Sequence, residues 1–125
     1  MTANAMQPQR EHVEVLLGSW QRALSNLQRV APDLPCGEAS IDCLKLQAAL
    51  MAGIGAGRQM IKLIEQAERS EPIVQKALAK LAPQEALVLA EFHRSTIAMT
   101  WDGLQARMEG LHSYLEEAAQ EAREN

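Results

Sequence analysis

Aromatic residues are almost missing from this chain: two Trp, one Tyr and one Phe make up 3% of it. Val, Ile and Thr are also sparse, and no segment alternates polar and apolar residues between turn signals. Strands depend on those residue types and that alternation, so the sequence offers no sheet. The apolar 47% is mostly Leu, Ala and Met, which are helix formers. At 125 residues the chain is long enough for one all-α domain with its own core.

A positive excess is missing too. Twelve basic residues stand against 16 acidic ones, a net charge of −4. That balance does not suit a phosphate backbone or an anionic membrane surface. The longest apolar run, Ala48 to Gly57, is far shorter than the roughly 20 residues of a membrane span. Met1 to Arg10 holds no basic cluster followed by an apolar run, so no signal peptide is expected. Cys36 and Cys43 show neither metal nor redox spacing, and a cytoplasmic protein with reduced thiols is the expectation. His12, His93 and His112 contain no i, i+4 pair, the one Glu-x-x-His (Glu109 to His112) has no second copy as a di-iron site requires, and there is no Gly-x-Ser-x-Gly. No metal and no cofactor is expected.

What the chain does have is a four-three repeat of apolar residues. Leu87, Ala90, Ile97, Trp101, Leu104, Met108, Leu111 and Leu115 follow it along the last third, interrupted by Arg94. Val13, Leu17, Trp20, Leu24 and Leu27 repeat it near the start. Such a repeat lays one stripe along a helix, and that stripe is buried only against other helices.

Punctuation divides the chain into a disordered lead over residues 1–8 and one helical domain over 9–125. A first helix is predicted from about Gln9 to Val30, ending before Ala31-Pro32-Asp33-Leu34-Pro35-Cys36-Gly37. Ser40 is the expected N-cap of a second helix reaching about Arg69. Glu71-Pro72 reads as a break, followed by a short helix to about Leu81. Ala82-Pro83-Gln84-Glu85 then opens a last helix to about Arg123, continuous through Asp102-Gly103. The expected architecture is an antiparallel bundle of three long helices and one short one, with coiled-coil-like packing.

Within helix two, Gly53-Ile54-Gly55-Ala56-Gly57 has neither the preceding strand nor the spacing of a phosphate-binding loop. Ala49, Gly53 and Gly57 lie four apart and form a ridge where another helix can approach closely. His93-Arg94-Ser95-Thr96 has a cation beside its histidine but lacks the glycine that exposes a phosphotransfer histidine.

Arg107, His112 and Tyr114 spell Arg-x4-His-x-Tyr. This resembles the signature of the HEPN ribonucleases, small all-helical dimers that cut RNA across a dimer cleft. The resemblance implies Arg107 as phosphate-charge stabiliser, His112 as acid/base and Tyr114 as a supporting group. Met108 stands where that family usually has a polar residue. Positions five apart also point about 140° away from each other on a straight helix.

Without a fuller catalytic grouping, the favoured reading is a non-catalytic interaction module: an adaptor, a chaperone-like protein or a regulatory binder. It would self-associate as a homodimer or bury a partner's helix through an apolar seam of Leu87, Ile97, Trp101, Leu104, Met108 and Leu111. RNA would be a partner only under the ribonuclease alternative, and a membrane under neither.

Overall fold

The computed structural model describes the backbone of residues 3–124 and the side chains of residues 9–124. Helix α1 runs Ala3–Val30, a 3-10 turn occupies Ala31–Asp33, α2 runs Glu38–Leu78 and α3 runs Pro83–Glu124. Among the described residues there is no strand. The three helices pack on one another, with α1 and α3 each lying along α2.

Several boundaries depart from the sequence reading. The backbone of α1 is already helical from Ala3, within the segment read as a lead. The Pro-rich loop after Val30 contains a 3-10 turn, closed by Leu34 N–H donating to the Ala31 carbonyl at 3.2 Å. Ser40 is not the cap of α2. Gly37 occupies that position with φ 119°, a left-handed value that favours glycine, and its carbonyl accepts from Ile41 N–H at 3.0 Å.

The largest correction concerns Pro72, which sits inside α2 rather than starting a short fourth helix. Three long helices and a 3-10 turn replace three long helices and a short one. The physical reason lies in Pro72's exposure. Its exposed ring displaces no core residue, and half-buried Val74 and Leu78 hold the continuation in place. Pro83, by contrast, does start a helix, and Ala86 N–H donates to the Ala82 carbonyl just ahead of it at 2.9 Å. α3 then passes through Asp102-Gly103 without a break.

The core takes Val13, Leu17 and Trp20 from α1, Leu50, Ile54, Met60 and Ile64 from α2, and Trp101, Leu104, Met108 and Leu111 from α3. Residue numbers rising along α1 meet numbers falling along α2. Arg10 pairs with Glu65 at 3.3 Å, Leu17 lies at Gly57, Trp20 lies at Gly53, and Cys43 Sγ reaches the Leu27 carbonyl. Gly53 and Gly57 are where the helices come closest. A Cβ on Gly53 would collide with the Leu111 side chain and stand 3.2 Å from Trp20 Cζ3. On Gly57 it would lie 2.7 Å from Leu17 Cδ2 and 3.3 Å from Met108 Cε. Both glycines thus admit α1 on one side and α3 on the other, which offsets the ~1 kcal/mol of helix propensity each one costs.

The core stops abruptly. From Glu68 through Thr100 no residue is buried. The end of α2 and the first half of α3 form a two-helix arm whose apolar positions are at best half-covered.

Candidate functional site

The structure divides the seam predicted along α3. Trp101, Leu104, Met108 and Leu111 are buried inside the chain's own three-helix segment, and Ile97 is half-buried at its edge. Leu87 lies on the arm and is 63% exposed. Trp101 is 0% exposed, and its indole Nε1–H has no acceptor.

Arg107 and Tyr114 line a cleft of about 340 Å³ with Ala49, Ala52, Gly53 and Leu111, on the α2 side of α3. His112 lines a different cleft, of about 230 Å³, on the α1 side. Within one chain the Arg and His of the Arg-x4-His-x-Tyr motif therefore do not face a common space. His112 Nε2 instead lies 3.0 Å from Glu116 Oε1, one turn further along its own helix.

That second cleft joins residues the sequence keeps far apart. His12 and His112 share its rim with Gln9, Gln105 and Glu109, above a floor of Val13, Leu16, Met60 and Met108. Gln105 donates to Glu109 at 3.1 Å. Only the pairing of α1 with α3 creates this neighbourhood, and no local spacing announces it. Among the described residues no group of three or more His, Cys, Asp and Glu is placed to hold a metal ion.

The electrostatics are correspondingly plain. Among the described residues no charged or polar side chain is buried. Arg10 is held above its ordinary value by the hydrogen bond to Glu14, with the charges of Glu14, Glu65 and Glu68 adding to it against some desolvation. This cluster ties the start of α1 to α2 on the surface, where such pairs contribute little to stability. Cys36 is exposed and Cys43 buried, and both are free thiols.

The arm is the most unusual surface. Ile73, Leu81, Leu87, Val88, Leu89, Phe92 and Met99 are all exposed there. Single exposed apolar residues are ordinary, and seven on one arm make it a candidate contact surface. Sequence reading followed the Leu87 stripe and missed the neighbouring one. Val88, Phe92, Ser95 and Met99 have the same four-three-four spacing as positions 90, 94, 97 and 101, offset by two residues.

No protein-family model, curated protein or solved structure matches the chain. Among the described residues no helix is long and apolar enough to cross a membrane.

Proposed function

We propose that this chain is a non-catalytic helical interaction module of the cytoplasm. In this reading its antiparallel three-helix segment, packed in coiled-coil fashion, is a rigid base. The two-helix arm is the working end, and it buries its apolar surface against a helix of a second copy or of a partner protein. One observation carries the reading: between Glu68 and Thr100 nothing is buried, yet seven large apolar side chains are exposed. Removing apolar area of that kind from water yields a gross gain of roughly 25 cal/mol per Å², from which the ordering cost of association is subtracted. The free thiols of Cys36 and Cys43 accord with a reducing compartment.

The base and the arm divide the predicted seam between them. Trp101, Leu104, Met108 and Leu111 hold the base together, while Leu87 and its neighbours are available to a partner. The ribonuclease alternative finds no support in a single chain, because Arg107 and His112 open on separate clefts.

The test is the mass of the tagged full chain in native extract and after purification. It is compared with a variant in which Leu87, Val88 and Phe92 are all changed to Gln. The wild type is expected in a complex of defined mass and the variant as a monomer of unchanged helicity by circular dichroism. A wild type that is monomeric in both settings overturns the reading.

A further inference from the structure

One face of α3 is left over once the three helices have packed. At 100° per residue, Val88, Phe92 and Met99 line up along the side of the helix opposite the Trp101–Leu104–Met108 seam. They are 66%, 73% and 76% exposed. The line continues toward the C-terminus as Gly103, Ala106 and Gly110, all exposed. The two glycines have no evident role inside the chain: a Cβ on either would meet nothing within 4 Å. Each still costs ~1 kcal/mol of helix propensity relative to alanine. Gly53 and Gly57 have a neighbour that explains them; Gly103 and Gly110, like Gly55 on α2, do not, but these two share one face with the exposed apolar row.

Large residues in one half of the row and small ones in the other fit each other when the row is reversed. Met99 lies at the centre: Val88 and Gly110 are equally far from it, as are Phe92 and Ala106, and Ser95 and Gly103. We infer that this face of α3 is a homodimer contact in which a second copy packs in the opposite direction about a two-fold axis at Met99. Phe92 then sits over Ala106 of the second copy and Val88 over Gly110, and each such contact occurs twice, as an isologous interface requires. Small residues opposite large ones let two helix backbones approach closely, as Gly53 and Gly57 already do within the chain.

Several polar groups flanking the row already have partners within α3. The row itself holds no charge. Thr96 Oγ1 donates to the Phe92 carbonyl at 3.0 Å and Thr100 Oγ1 to the Thr96 carbonyl at 3.1 Å, so neither hydroxyl loses a donor bond when water leaves. Glu91 and Arg94 neutralise each other at 2.9 Å. From Val88 to Gly110 the row is about 33 Å long at ~1.5 Å per residue, and about one helix wide. That size is below a standard specific interface, so the dimer is weak and forms only as concentration rises. The inference rests on the reading of the chain as an association module and names its partner as a second copy.

Sedimentation equilibrium of the full chain from about 1 µM to about 500 µM tests it, with disulfide trapping in a Cys36→Ser background. Wild type is expected to pass from monomer to dimer, and Met99→Glu, which sets two carboxylates together at the axis, to weaken the dimer at least tenfold. Met99→Cys is expected to cross-link to itself. Phe92→Cys is expected to cross-link only when mixed with Ala106→Cys, and Val15→Cys on α1 not at all. Self-linking of Phe92→Cys would overturn the reversed register. A dimer indifferent to Met99→Glu would overturn this face while leaving the association reading intact. A wild type that is monomeric throughout, or that forms a complex of defined mass only with another protein, would overturn the second copy as occupant; the association reading then stands or falls on the mass in native extract.

Discussion

The three-helix base and the two-helix arm are built from the same helices and obey the same periodicity, yet one is a core and the other is not. In α3 the repeat runs through Leu87, Ala90, Ile97 and Trp101, broken only at Arg94, and exposure falls from 63% at Leu87 to 0% at Trp101. The difference is the third helix. α1 has 28 residues against 41 in α2 and 42 in α3, and its meeting with α2 through Arg10, Glu65 and Glu68 coincides with the end of the core. Periodicity thus states which face of a helix seeks burial. How much of that face is buried within the chain is decided by the length of its neighbours.

The comparison is broken most forcefully at Trp101. Trp101→Ala is expected to cost ~3–5 kcal/mol, the range for a buried large aromatic, read from chemical denaturation of the full chain. A second variant separates size from polarity. Trp101→Phe keeps much of the packing and removes an indole N–H that has no acceptor, a group whose burial costs ~1–3 kcal/mol. Its loss is therefore expected to be well below that of Trp101→Ala. Equal losses would show that the orphan donor carries no penalty.

Glycine substitutions sharpen the comparison within α2. Gly53→Ala forces a methyl group into the Leu111 side chain and against Trp20, and is expected to destabilise by ~1–3 kcal/mol. Gly55, two residues on, points into open space, so Gly55→Ala is expected to stabilise by up to ~1 kcal/mol through helix propensity. Opposite signs at neighbouring glycines would locate the close approach of α1 and α3. The same sign at both would place it elsewhere.

On the arm, where nothing is buried, local helix propensity matters more than packing. Pro72 is exposed and lies in the interior of α2. Pro72→Ala supplies the missing N–H and is expected to stabilise by ~1–2 kcal/mol, part of the ~3 kcal/mol that proline costs inside a helix. Hydrogen exchange on residues 68–78 reads it directly: slower exchange confined to the arm is the expected pattern.

These sites also show what the sequence could and could not reveal. The end of α1 at Val30 and the start of α3 at Pro83 were legible because proline placement there has a local cause. Pro72 carried the same signature, but its outcome depended on Val74 and Leu78 finding half-burial in the arm, a tertiary fact. The four-residue spacing set Gly53 and Gly57 apart from Gly55 in the sequence, but which side chains meet them is a tertiary fact. The interaction stripe was legible as a pattern, but its division at Trp101 was not, because that depends on how far α1 reaches. The rim shared by His12 and His112 was invisible for the same reason.

The smallest effect is expected at His112, and it weighs most on what the molecule is for. The side chain is exposed, and its contact with Glu116 is a surface i, i+4 pair, worth at most ~0.5 kcal/mol. His112→Ala should therefore leave stability nearly unchanged, so any functional change it causes is chemical rather than structural. Under the interaction reading, purified wild type and His112→Ala are equally unable to cleave single-stranded RNA. Cleavage by the wild type that is lost in His112→Ala and in Arg107→Ala would require the two clefts on either side of α3 to be joined through a second copy. That result would move the working site from the arm to the base.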